Sequence, residues 1–226
     1  MKTHVLTGAG SGIGQALAEK LCDRGDRLVL LVRDQERIDQ LRPNFPEAEL
    51  VVADLATPES LIDIGATITD PIDSLLHVAG VLDLGPVAGQ DLASWRHQLD
   101  VNLTAPAVLT TALLPQLRRA RGTVVFVNSS AGLTAHAGWS AYAASKFGLR
   151  ALADALRAEE AEHGLRVTSV FPGRTATPMQ ARVHEQEGRA YDPAAFVAPN
   201  TVAEAILHVL DLPDNATVVD LTIRPR

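Results

Sequence analysis

Tyr142 and Lys146 stand four residues apart in SAYAASKFGLRALADAL, in a chain with only two tyrosines and three lysines. Residues four apart on a helix share one face, so the phenol and the ammonium would project together. A free tyrosine, with a pKa of about 10, is a poor base at neutral pH. A neighbouring cation favours the phenolate, and such a pair can move a proton to or from a substrate oxygen. Thirteen residues before Tyr142, in VFVNSSAG, lies Ser129, whose hydroxyl can polarise the same oxygen. Ser130 is chemically equal, and only spacing favours Ser129. The bland alternatives are a half-buried tyrosine beside a solvated lysine, and a turn serine at a strand end.

The second chemistry-bearing segment is Thr7-Gly8-Ala9-Gly10-Ser11-Gly12-Ile13-Gly14, between the apolar run HVLT and the helical stretch QALAEKL. Glycines permit a tight turn and let backbone N–H groups approach a pyrophosphate, while the start of a helix adds partial positive charge. The lysine of a P-loop is absent, and the spacing is G-x-x-x-G-x-G, not G-x-G-x-x-G. Placement after a first strand and before a helix points to a dinucleotide. At the end of LVLLV, Arg33 and Asp34 stand where such a fold meets the adenosine ribose. An acid there favours a free 2′-hydroxyl and an arginine a 2′-phosphate. Asp34 is also a good N-cap for QERIDQL, and Arg33 an ordinary solvated residue.

These groups need elements to position them. Apolar runs at 4–7, 28–32, 50–53, 75–79, 123–127, 167–171 and 218–223 alternate with helical patterns near 12–24, 34–41, 58–66, 91–118, 140–163 and 201–210. Several runs are continuously apolar and β-branched, as a parallel sheet covered on both faces requires. The rhythm predicts an α/β fold: a doubly wound parallel sheet of seven strands with helices on both faces. No linker or repeat interrupts it, so residues 1–226 read as one domain. Leu99, Leu103, Val108, Leu149, Leu152 and Leu156 read as mostly core.

Composition narrows the function classes. The 20 Lys+Arg against 27 Asp+Glu leave a net charge of −7, which argues against a broad nucleic-acid surface. The single cysteine, Cys22, excludes internal disulfides and any multi-cysteine metal site. No apolar run approaches the roughly 20 residues that span a bilayer, and MKTHVLTGAG lacks a signal-peptide core. A cytoplasmic protein without membrane or nucleic-acid partners is expected. The seven histidines never form H-E-x-x-H, so no metal is expected. His136 and Trp139 either line a pocket or sit in a surface loop. Met179 either touches substrate or packs a lid.

Together these features resemble the classical short-chain dehydrogenase/reductase family over essentially the whole chain. The loop from Thr7 to Gly14 matches T-G-x-x-x-G-x-G, and Tyr142 and Lys146 match Y-x-x-x-K, with Ser129 at the family's upstream spacing. Asn102 in LDVNLTAP, Asp54 in VVADL, and Pro172-Gly173 with Thr177 match further family positions. The resemblance implies a Rossmann-type fold and hydride transfer between a nicotinamide and a carbonyl or secondary alcohol of a small substrate. Tyr142 would handle the proton, Ser129 orient the oxygen, Lys146 bind ribose and lower the pKa of Tyr142, and Asn102 hold a water linking Lys146 to solvent. The cofactor set it implies is Gly8, Gly10, Ser11, Gly12, Ile13, Gly14, Arg33, Asp54, Leu55, Ala79, Gly80, Tyr142, Lys146, Pro172, Gly173, Thr175 and Thr177. In family register Val32 stands where NAD-preferring members carry an acid, and Arg33 where NADP-preferring members carry a base. NADP(H) is therefore expected over NAD(H). Val78 replaces the Asn of the family's N-A-G motif, which predicts altered local hydrogen bonding. A short substrate lid is expected around 175–198, and a homodimer or homotetramer through the fourth and fifth helices. The alternative is a silent NADP-binding redox sensor or scaffold; a sugar-nucleotide epimerase would carry a longer C-terminal region.

Overall fold

The computed structural model describes residues 1–226. Seven strands form one sheet: β1 (Thr3–Thr7), β2 (Arg27–Val32), β3 (Glu49–Val52), β4 (Ser74–His77), β5 (Thr123–Val127), β6 (Arg166–Pro172) and β7 (Asp220–Ile223). Their spatial order is β3-β2-β1-β4-β5-β6-β7, and every neighbouring pair is parallel. Parallel neighbours need crossovers, so helices cover both faces. Chain direction of travel reverses between β1 and β4, and such a switch point opens a crevice at the carboxyl ends of the strands.

Alternation along each strand sends side chains to two cores. Leu6, Leu30, Leu76, Val125 and Val170 face helices α1 (Gly12–Asp23), α2 (Gln35–Leu41) and α8 (Pro199–Leu210). Val5, Val29, Leu75, Val124 and Phe126 face α3 (Ile64–Thr67), α5 (Ala105–Ala120) and α6 (Ser140–Glu159). Each fully buried Leu or Val contributes about 1.5–3 kcal/mol relative to exposure. His77 belongs inside as well: it stacks on Phe126 at 4.8 Å and shares a 2.8 Å hydrogen bond with Thr110. Burial lowers its pKa to about 3, which keeps it neutral.

Three stretches depart from the periodicity reading. The pattern at 58–66 is a 3-10 turn, Pro58–Leu61, followed by the single turn of α3. Gly65 lets that turn approach α5, since a Cβ there would stand 2.4 Å from the Ala112 carbonyl. The pattern at 91–118 is broken into α4 (Leu92–Leu99), a π turn at Asp100–Thr104, and α5. Pro106 has no N–H to donate to the carbonyl four residues back, and the Ala105 N–H reaches five back to Asp100. The expected lid contains an unforeseen helix, α7 (Pro178–Gln186), capped by the Thr177 side chain accepting from the Gln180 N–H at 3.2 Å.

Candidate active site

The crevice above the switch point begins with the glycine loop. Gly12 has φ of +55°, which favours glycine, and a Cβ there would lie 2.9 Å from the Thr177 methyl. A Cβ on Gly14 would sit 2.1 Å from the Gly8 carbonyl, so only glycine lets α1 start this close to the end of β1. Ser11 leads into α1 in extended backbone with no side-chain cap, and no acid occupies the first turn. The first N–H groups of α1 thus face the crevice without an internal partner, a suitable cradle for an anion. On the opposite bank, the Thr7 hydroxyl accepts from the Val78 and Ala79 N–H groups at 3.1 and 3.2 Å. This is the local arrangement at the segment where Val78 departs from the family's Asn.

The crevice has two lobes that meet at Gly8, Ser11, Ala79 and Gly80. One lobe holds Gly12, Ile13, Gly14, Ser129, Tyr142, Lys146, Pro172, Gly173, Thr175 and Thr177. The other holds Gly10, Arg33, Asp54 and Leu55. Every residue expected around the cofactor therefore borders one continuous crevice. Asn102 stands apart, buried behind it.

In the first lobe, α6 brings Tyr142 and Lys146 onto the buried side of one helix. Ser129, two residues past β5, lines the crevice beside Tyr142, and its hydroxyl accepts from the Ala131 N–H at 3.1 Å. Burial pushes the phenol pKa up, and the nearby Ser129 side chain works against that rise. The Lys146 Nζ lies 5.8 Å from the Tyr142 ring centroid and donates to the Val127 carbonyl at 3.1 Å. Burial lowers the Lys146 pKa to about 8.

Two asparagines hold this lobe in shape. Asn102, displaced inward by the π turn, donates to the Val81 carbonyl at 2.8 Å and to Ser145 Oγ at 3.0 Å. Its Oδ1 accepts from the Val81 N–H at 2.9 Å. Asn102 thus fixes the bank carrying Gly80 and makes no direct bond to Lys146. Asn128 went unnoticed in the sequence: its Nδ2 donates to the Lys146 carbonyl at 3.0 Å, and its Oδ1 accepts from the Ser129 N–H at 2.9 Å. It locks Ser129 to the helix bearing Tyr142. Its only sequence signal is a polar residue ending an otherwise apolar strand.

The wall beside Tyr142 is apolar, built from Leu82, Ala131 and Val183, with Leu84, Trp139 and Met179 packed against them. Trp139 meets the Tyr142 ring edge-on at 5.9 Å. His136 is exposed.

In the second lobe, Asp34 caps α2, accepting from the Arg37 N–H at 2.8 Å, and also pairs with Arg33 at 2.7 Å. Asp34 is thus the N-cap of α2, and Arg33 is an exposed residue paired with it. Arg37, a further residue missed in the sequence, folds over the glycine loop, its side chain 3.5 Å from where a Cβ on Gly10 would stand. Its spacing, three after the cap, points it at the loop. No cluster of three His, Cys, Asp or Glu side chains suits a metal, and no helix is long and apolar enough to cross a membrane.

Comparison with known proteins agrees with this geometry. The short chain dehydrogenase profile matches residues 2–188. An uncharacterised oxidoreductase of Staphylococcus epidermidis is 30% identical over 99% of this chain and 97% of its own. The glycine betaine reductase of Emericella nidulans is 32% identical over the whole chain, which spans only 19% of that protein. A short-chain dehydrogenase of Escherichia coli, solved with NADPH, superposes with a TM-score of 0.89 at 30% identity, covering 98% of this chain and 95% of the other. With its sheet order, its crevice and these relatives in agreement, the chain belongs to the short-chain dehydrogenase/reductase family of oxidoreductases.

Proposed function

We propose that the protein is an NADP(H)-dependent oxidoreductase of a carbonyl or secondary alcohol group in a small substrate. One observation carries this reading: Tyr142, with Ser129 beside it and Lys146 on the same buried helix face, borders the same crevice as the glycine loop. The coenzyme, once bound, supplies or accepts the hydride. Gly8 to Gly14 would hold its pyrophosphate, and Gly173, Thr175 and Thr177 would border its nicotinamide.

The protein's own groups handle the oxygen. Tyr142 enters reduction protonated, as its raised pKa favours, and gives its proton to the substrate oxygen. Ser129 donates to that oxygen and orients it. Lys146, held by Val127, reaches toward the ribose hydroxyls and offers its charge as the phenolate forms. Asn102 and Asn128 serve as positioning residues. At the far end, Arg37 lies beside Gly10, and Arg33, engaged by Asp34 through Nε alone, borders the same lobe with its terminal nitrogens left for a 2′-phosphate.

The half-buried Leu103, Val108 and Leu152, with Phe147 exposed on α6, support pairing of α5 and α6 between copies. The lone free Cys22 fits a cytoplasmic location. Tyr142→Phe should cut carbonyl-dependent NADPH oxidation at least a thousandfold while NADPH still binds in fluorescence titration. Unchanged turnover would overturn the role of Tyr142, and a higher kcat/KM with NADH than NADPH would overturn the coenzyme preference.

A further inference from the structure

We propose that the substrate is an uncharged ketone or aldehyde with an apolar substituent, and that Glu187 sets this selectivity by occupying the Arg174 guanidinium. The inference rests on the carbonyl-reducing reading above and specifies its substrate class.

The lobe around Tyr142 has no acidic residue in its lining and only two cations, Lys146 and Arg174. Lys146 is buried and donates to the Val127 carbonyl. Arg174 directly follows Gly173 and is the one cation placed to meet a substrate's charge. Its fork is already filled. Nη1 donates to Glu187 Oε2 at 3.0 Å and Nη2 to Oε1 at 2.7 Å, and Nη1 also lies 3.3 Å from His184 Nε2. A paired carboxylate takes two of the guanidinium's five donors and neutralises its charge, which weakens its pull on a second anion.

His184 is itself closed off. Its Nδ1 lies 3.0 Å from the Gln180 carbonyl, and its ring tilts against the stacked pair Tyr191 and Phe196 at 5.4 and 5.1 Å. Helix α7 separates the two environments by spacing. Met179 and Val183, four apart, join the apolar wall with Tyr142, whereas Gln180, His184 and Glu187 form the polar flank that engages Arg174. A substrate carboxylate entering this lobe would lose hydration and find no unpaired cation, which is unfavourable. An alkyl or aryl group would instead displace water from Leu82, Trp139, Met179 and Val183.

Matched pairs test the claim: 2-pentanone against 2-oxopentanoate, and 4-phenyl-2-butanone against 2-oxo-4-phenylbutanoate, each with saturating NADPH. The wild-type kcat/KM should favour each ketone at least a hundredfold. Glu187→Gln, which releases Arg174, should narrow that ratio tenfold or more, chiefly through a lower KM for the keto acid. Adding Arg174→Gln to that variant should restore the wide ratio. Equal or better use of the keto acids by wild-type protein would overturn the substrate class, and it decides even if a variant fails to fold. An unchanged ratio in folded Glu187→Gln would overturn the role of Glu187. Turnover of no carbonyl by NADPH-bound protein would instead overturn the oxidoreductase reading and take this inference with it.

Discussion

Burial acts oppositely on the two groups at the centre of the site. It raises the Tyr142 pKa and lowers that of Lys146 to about 8, because each is pushed toward its neutral form. The consequence for Lys146 is measurable. Its folded value lies below the unfolded 10.5, so between about pH 8 and 10 the unfolded chain binds more protons. Stability from this group therefore rises with pH across that window. Lys146→Met should lack the rise, so the stability difference between wild type and variant should change by up to about 3 kcal/mol over the window. Urea unfolding at successive pH values reads it, and parallel curves would show that the ammonium is not buried. The Tyr142–Lys146 spacing was legible because a helix maps four residues onto one face. The raised pKa of Tyr142 was not, since its burial depends on Leu82 and Val183 arriving from elsewhere in the chain.

At the scale of elements, the site depends on how tightly a loop can meet a helix. Gly14→Ala would drive a methyl to within 2.1 Å of the Gly8 carbonyl, a backbone atom that cannot swing aside. The expected outcome is a loss of about 2 kcal/mol or more of stability, typical of overpacking, with NADPH affinity falling at least tenfold. Thermal unfolding and fluorescence titration check the two parts, and wild-type affinity in the variant would refute the tight-loop account. The strands were legible as apolar runs, whereas α7 was not, because Glu187 at its end meets its partner only in Arg174 and its apolar flank only in the wall around Tyr142. The π turn was equally hidden. Pro106 marks a gap in the helical ladder, but only packing decides that the chain closes it by bulging Asn102 inward.

Across the whole molecule, two cores clamp the sheet and leave some apolar groups uncovered. Phe147 is 43% exposed beside the buried Lys146, and Leu92 is exposed at the start of α4. If these helices pair between copies, Phe147→Glu should bury a charge at the contact and shift the protein toward monomer. Light scattering coupled to size exclusion reads the change, and an unaltered mass would place the contact elsewhere. One acid-sensitive group in the core is His77, whose pKa of about 3 sits far below its unfolded 6.5. The unfolded chain takes up that proton first as pH falls from 6.5, so this group's contribution to stability declines toward pH 3.

Local rules carried the sheet, the glycine loop, the Asp34 cap and the Tyr142–Lys146 pair, because each is encoded in residues a few positions apart. Sequence also predicted that Ser129 belongs with them, through spacing shared with a family. Only the tertiary structure decided that Asn128 ties Ser129 to α6, that Arg37 folds over Gly10, and that Glu187 occupies Arg174. Those contacts join segments whose meeting depends on sheet order and crossover packing. A hydrogen bond or a buried charge has its energy only once both partners have left water together, and no single stretch of chain records that event.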